Sequence, residues 1–435
     1  ASYVGMLRGE QFNMGRLLKV PELKNITFNV RVNGSGVEAE TLDTRVEGVI
    51  SSATYNNYTY RGITVAGNLQ NPNFDGRLTV RDPNANFTFD GLIDVSEEIH
   101  TYDFTADIAR IDLGKLNFLR DSSAVLKGKV VMDMRGTNID DTGGAIAFSE
   151  ASFENANDLY EFQDFVITSG FRRGIRTITM NSPDIISGQV SGVFKIGDVK
   201  ALFQNAIGSL YTNYEPQTVT ENQFMDFNIQ IYSKIVEVLV PDVELEPDTF
   251  VRGSVVADDS DFKLTFRSPR IKAFGVMAEA INVRVDNKNP LFNAYVEADS
   301  IGSGVYGVSD FNLINVTLKD TLFIRSEFKG GPDKQDNFDL SFYHTINEEN
   351  NSVVGFKRSS LRFKNNEWFL NEQDNKNNKI VFDNNFLDWD LKELTLSHDK
   401  ERISLKGQVK DSTYKDIQTN FENVRLSHIT PYIDS

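Results

Sequence analysis

The residues best suited to chemistry are few and stand apart. His100, His344, His398 and His428 occur singly, with no His-Glu-x-x-His string and no glutamate-flanked pair. Zinc or acid–base chemistry needs such groups to converge, so the Tyr-His-Thr around His344 reads as a strand residue. Gly302, Gly304 and Gly307 form a GxGxxG string in IGSGVYG. A dinucleotide site requires the next element to be a helix whose N-terminus faces pyrophosphate. The segment that follows, SDFNLINVTL, has strand character, so the glycines read as a turn. Asp258, Asp259 and Asp261 make an acidic turn without the ligand spacing of a calcium loop. No GxSxG elbow occurs, and the carboxylates spread over polar strand positions rather than pairing as glycosidase acids. They read as solubility and as protection against edge-to-edge aggregation. The expectation is a non-enzymatic chain with no cofactor and no metal.

The composition sets the scale on which these residues are held. The chain has 435 residues, 40% of them hydrophobic and 32 of them Phe, so a large core is within reach. A formal net charge of -17 argues against a nucleic-acid partner, which calls for a basic stripe, and against electrostatic docking on anionic membranes. With no Cys, disulfides and thiolate sites are excluded. No apolar run approaches the ~18 residues of a spanning helix. The start at Ala1 and the close at ITPYIDS read as an excised segment or processed form, with any anchor lying outside it.

Alternation dominates the chain. Phe28, Val30 and Val32 alternate with Asn29 and Arg31, and Phe87, Phe89, Ile93 and Val95 fall on one face. The pattern returns at Phe262, Leu264 and Phe266, at Phe338, Leu340 and Phe342, and at Ile403, Leu405 and Val409. Period two with one polar side marks antiparallel sheet; a buried parallel sheet would give unbroken apolar runs. Turn chemistry (NGSG, RDPN, DNKNP, NEENN, DNKNN) separates the strands, which predicts a meander of about 25 to 30 strands. One segment differs. Val199, Leu202, Phe203, Ala206 and Leu210 recur at helical spacing, which predicts one helix over 198–211, with Asp198 as N-cap and Pro216 as the stop.

The chain also resembles itself. FNMGRL around Gly15 matches IDLGKL around Gly114, with VRLSHI near Leu426 as a fainter copy. YTYRGITVAGNL from Tyr58 is echoed by YEFQDFVITSGF from Tyr160 and YGVSDFNLINVTL from Tyr306. Repetition of this kind marks an array that grows by adding units.

A one-faced sheet must bury its apolar side. One helix cannot cover so many strands, which leaves a closed sandwich or solenoid, or a curved trough whose lining stays open to acyl chains. Outside a bilayer the ~30 methylenes of a diacyl lipid need about 24 kcal/mol of compensation, at ~0.8 kcal/mol each. Only a continuous apolar lining comes near that. At ~4.8 Å per strand such a trough would run roughly 120 to 145 Å.

The FNMGRL/IDLGKL element and the Phe/Tyr-rich hairpins behind it resemble the AsmA-like and TamB (translocation and assembly module) families of diderm bacteria. From Phe194 onward the likeness is to the Bacteroidetes-type TamB proteins, carried by ALFQNAIGSLYTNY, DNKNPLFN, DFNLINVTLKDTLFIRSEFKGG, FYHTINEENNSVVGFK and ITPYID. The resemblance implies an elongated, curved, antiparallel-rich all-β sheet forming a hydrophobic trough, a repeating β-groove with one short amphipathic helix. It implies a periplasmic protein held in the inner membrane by an N-terminal helix absent here, which moves phospholipid toward the outer membrane and meets an Omp85-type assembly factor through regions beyond this segment.

The expected organisation is a first β-trough segment over 1–197, the amphipathic helix over 198–214, and a second β-trough segment over 215–435. The candidate acyl-chain contacts are Phe28, Val30, Phe87, Phe89, Phe104, Phe262, Leu264, Phe266, Phe292 and Leu340. The helix either caps the sheet or meets lipid through Phe203 and Leu210. Two rival readings stay open: a scaffold for outer-membrane barrel assembly acting through strand edges, and a closed β-solenoid adhesin binding sugars through Tyr55 and Tyr58.

Overall fold

The computed structural model describes residues 2–18, 20–36, 41–70, 73–209, 214–258, 261–303, 306–319, 321–331, 333–363, 366–383, 387–411 and 413–425. Among them are 29 strands, and every strand pair is antiparallel. The fold is all-β, as the alternation predicts. The chain divides into two compact units, Ala1–Ile196 with Ile231–Pro241, and Gly197–Gln230 with Asp242–Ser435.

The first unit is a meander in which each strand pairs with its successor. The one departure is Gly143–Glu154, which pairs with both Leu159–Glu161 and Phe165–Arg172. In the second unit Phe224–Ile231 pairs with Phe250–Val256, Val243–Leu245 joins the far end of Asp261–Ala273, and a meander from there to Asp336–Ile346 then forks. Asp336–Ile346 pairs with Ser352–Phe356 at one end and Ser359–Phe363 at the other, and both arms rejoin on Trp389–His398.

Two sides of the sheet are chemically distinct because the register keeps like with like. In the first unit Arg77 pairs across strands with Asp90, and Thr79 faces Thr88. The alternate positions, Leu78 with Phe89 and Val80 with Phe87, are apolar. A slip of one residue would invert this assignment, so burial of the apolar side fixes the register.

The internal repeats are repeats of structure. In the first copy Asn13 Oδ1 accepts the backbone N–H of Arg16 at 3.0 Å, and in the second Asp112 Oδ1 accepts that of Lys115 at 3.1 Å. Each ends a strand in a side-chain-capped turn. A Cβ on Gly15 would lie 1.7 Å from the carbonyl of Leu23, and one on Gly114 would lie 2.2 Å from that of Asp121. Glycine is needed at both because the returning chain crosses directly above. The third copy, from Leu426, lies outside the described residues. The tyrosine repeats agree as well: Asp82 accepts Arg61 N–H at 3.0 Å and Asp184 accepts Gln163 N–H at 3.1 Å, each pair 21 residues apart.

The helices correct the sequence reading. Among the described residues there are three α-helices: α1 (Met14–Leu18), α2 (Val199–Gly208) and α3 (Ser233–Leu239). α2 is the expected helix, closed by Ser209 rather than by Pro216; Leu210 and Tyr211 lie outside the described residues. Asp198 stands at the N-cap without capping, since its carboxylate instead accepts Thr220 N–H at 3.0 Å and Gln223 Nε2 at 2.8 Å. α1 forms on the FNMGRL repeat. α3 was hidden by β-branched residues, Ile235, Val236 and Val238, which favour strands. It belongs to the first unit, where Lys234 Nζ bonds Asp184 at 2.6 Å and the carbonyl of Glu161 at 2.7 Å.

Candidate apolar binding faces

Following the register across the first unit yields one unbroken apolar row: Leu7, Val30, Gly48, Val65, Leu78, Phe89, Ala106, Val130, Phe148 and Phe165. At ~4.8 Å per strand these ten positions span about 43 Å. A second row beside it runs Phe28, Ile50, Ile63, Val80, Phe87 and Ile108. Such rows arise because the strands alternate and the pairings hold one register across these positions, the bulges falling beyond the second row; neither condition alone would produce one.

A cavity of about 900 Å³ lies against these rows, with Phe28, Val30, Val46, Val65, Phe87 and Phe89 in its wall. No charged side chain lines it. The hydroxyl of Thr44, a residue 4% exposed, is the wall's one buried side-chain oxygen without a hydrogen-bond partner among the described residues. Four of the five candidates in this unit thus share one cavity. Phe104 stands outside it, its ring centroid 4.9 Å from that of Phe89. It continues a row in which Gly67, Gly76 and Gly91 sit side by side, covered by the rings of Phe74, Phe89 and Phe104.

In the second unit the matching row is Ile229, Val251, Phe266, Val283, Val296, Leu313, Ser326 and Leu340. It brings Phe266 and Leu340 onto one line, and Leu264 lies on the adjacent row between Gly253 and Val285. Phe262, 2% exposed, is covered rather than open. α2 lies over it, with the Phe203 ring 6.1 Å from Phe262 and 5.5 Å from Phe227, and with Leu202 and Ala206 buried. That agrees with the capping role weighed for this helix.

Phe292 is placed elsewhere. It lies in the bend before Ala294–Gly302, 6.0 Å from the ring of Tyr295. Tyr295 pairs with Arg284, so Phe292 accompanies the polar side.

Sequence reasoning missed a smaller apolar cavity of about 430 Å³, walled by Tyr306, Phe338, Leu361, Phe363, Trp368 and Ile403. The alternation of Ser359–Phe363 and Asn366–Leu370 held the signal, but strands of five residues are too short for period two to stand out. Burial raises the Tyr306 phenol's pKa, and its bond to the Asp336 carboxylate adds to the rise.

The residues weighed for chemistry remain dispersed. Gly302 and Gly307 face each other across a hairpin between two strands, with Gly304 outside the described residues. Asp258 accepts Asn222 N–H at 3.0 Å and Asp261 opens a strand, while Asp259 is outside the described residues. Burial lowers the pKa of His344, a strand residue. Among the described residues no cluster of His, Asp and Glu is grouped to hold a metal, and no helix is long and apolar enough to cross a membrane.

No protein-family model, curated protein or solved structure matches this chain.

Proposed function

We propose that this chain is a segment of a TamB-like, AsmA-related envelope protein that carries phospholipid along the apolar side of its sheet. The observation that carries the reading is the in-register apolar row from Leu7 to Phe165, with an uncharged cavity of about 900 Å³ against it. Acyl chains would lie along the row, and headgroups would stay in water beyond its rim. Each methylene transferred from water contributes about 0.8 kcal/mol, so a face ten strands wide can hold a chain that a point site could not. The process is passive and non-enzymatic: the chain supplies a path, and direction comes from outside it. In this reading the protein is anchored in the inner membrane, crosses the periplasm, and meets an Omp85-type factor near the outer membrane.

A second reading, a scaffold for barrel assembly, is favoured by the strand Ser2–Asn13. Among the described residues it pairs on one side only, with Leu23–Ser35, and it exposes 77% of Val4 and 62% of Met6. Such an edge accepts an added strand.

Photocrosslinking in living cells separates the two. A benzophenone side chain at Val65 or Phe87, on the apolar side, should yield phospholipid adducts, and one at Thr64 or Thr79, on the opposite side, should not. Protein adducts at the Ser2–Asn13 edge with no lipid adducts from Val65 or Phe87 would favour the scaffold.

A further inference from the structure

The polar side of the second unit carries a cavity that the lipid reading does not use. Its volume is about 550 Å³, and two cross-strand rows form its floor. One is Asn228, Arg252, Thr265 and Arg284; the other is Asp226, Ser254, Lys263 and Asp286. Asn289 and Phe292 rise as a wall.

Three cations therefore meet two carboxylates, a net positive patch in a chain of formal charge -17. Other cations of this unit are paired, Lys272 with Glu244 at 2.7 Å and Arg325 with Asp339 at 3.0 Å. Among the described residues no ion pair involves Arg252, Lys263 or Arg284. The two guanidinium groups lie over rings instead, Arg252 over Phe250 and Arg284 over Tyr295, each 5.8 Å from the centroid. A ring face steadies a guanidinium without occupying its N–H edges, which stay free for an acceptor. Arg252 and Arg284 flank Thr265 two strands apart, about 10 Å between backbones, with the Thr265 hydroxyl between them and Ser254 beside Lys263 in the adjoining row.

We infer that this cavity binds the phosphate group of a phosphorylated ligand. Forked guanidinium donors match the oxygens of a tetrahedral oxyanion, and the ammonium of Lys263 adds a point charge beside them. Side chains alternate across the sheet, so the patch faces away from the row of Phe266 and Leu340, and a lipid lying on that row cannot supply the phosphate. The inference is independent of the lipid reading.

The test is calorimetric titration of the whole chain with glycerol 3-phosphate, with glycerol as the uncharged control, beside flotation with phosphatidylglycerol vesicles. Glycerol 3-phosphate should bind and glycerol should not. The Arg252→Gln/Arg284→Gln double variant should bind about tenfold more weakly or worse, with Arg325→Gln unchanged. If the double variant fails to fold, Arg252→Lys and Arg284→Lys keep the charge, remove the fork and should still weaken binding. Arginine-dependent binding to vesicles without binding of the soluble ester assigns the phosphate to a lipid headgroup. Binding of neither probe, or equal binding by the double variant, overturns the inference.

Discussion

The phenol of Tyr306 donates to Asp336 at 2.6 Å, and Asp336 is 4% exposed. An earlier repeat makes the same bond: Tyr58 donates to Asp82 at 2.5 Å, and Asp82 is also 4% exposed. A buried carboxylate must be met by donors, so these two tyrosines, each opening its repeat, hold the returning strand in place. Tyr306→Phe and Tyr58→Phe should each cost about 1.5–3 kcal/mol, the usual worth of a hydrogen bond to a charged group. Urea midpoints should fall with the m-value unchanged.

The repeated turns predict a matched pair of steric effects. Gly114→Ala forces a Cβ to 2.2 Å from the Asp121 carbonyl and should cost more than about 2 kcal/mol. Gly170→Ala, where a Cβ meets nothing within 4 Å, should stay within about 0.5 kcal/mol of the parent. Thermal unfolding of the two variants side by side checks this.

The helix over the second unit should behave as core on one side and surface on the other. Leu202, 2% exposed, should lose about 2–5 kcal/mol on truncation to Ala. Ile207, 55% exposed on the same helix, should lose about 0.5 kcal/mol or less. Equal effects at both positions would mean that α2 does not cap the sheet.

Acid should weaken the first unit through Asp112. Burial pushes this carboxyl's pKa up, but the Lys115 N–H with the Lys115 and Arg110 cations outweighs it and holds the pKa below the ordinary value. A depressed folded pKa gives stability that is full above the unfolded value of ~3.9 and lost as pH falls through the lower folded value. Asp112→Asn should therefore be less stable than the parent at pH 7, with the gap closing toward pH 3 and below. His344 acts with the same sign at higher pH. Burial lowers its pKa, so its contribution is present above ~6.5 and declines as pH falls through its folded value. His344→Phe should remove that decline from a stability-versus-pH curve.

Much of this architecture was legible because period two survives in long strands. Val30 and Phe89 could be assigned to one apolar side from alternation, and the register then put them on one line. Alternation names sides within a strand, but not which strands pair or what covers them. Phe262 looked as open as Leu264 until α2 came down on it. Phe292 sits in a bend, where parity carries no information, and it turned to the polar side. α3 was hidden because Ser233–Leu239 is only 7 residues long and rich in β-branched side chains. The repeats were visible as letters, but Asp82 and Asp184, the acceptors that make them repeats of structure, lie 21 residues from the backbone groups they hold.

The central claim is that the apolar side of the first unit holds acyl chains. Native mass spectrometry with lipid extraction tests it on two folded variants that differ only in which side of the sheet receives charge. Leu7→Asp/Val32→Asp charges the cavity wall. Val49→Asp/Val131→Asp charges the opposite side, where the two valines are 46% and 50% exposed. Phospholipid should co-purify with the parent and with Val49→Asp/Val131→Asp, and be lost from Leu7→Asp/Val32→Asp. A folded parent without lipid, or lipid retained equally by both variants, would contradict the account.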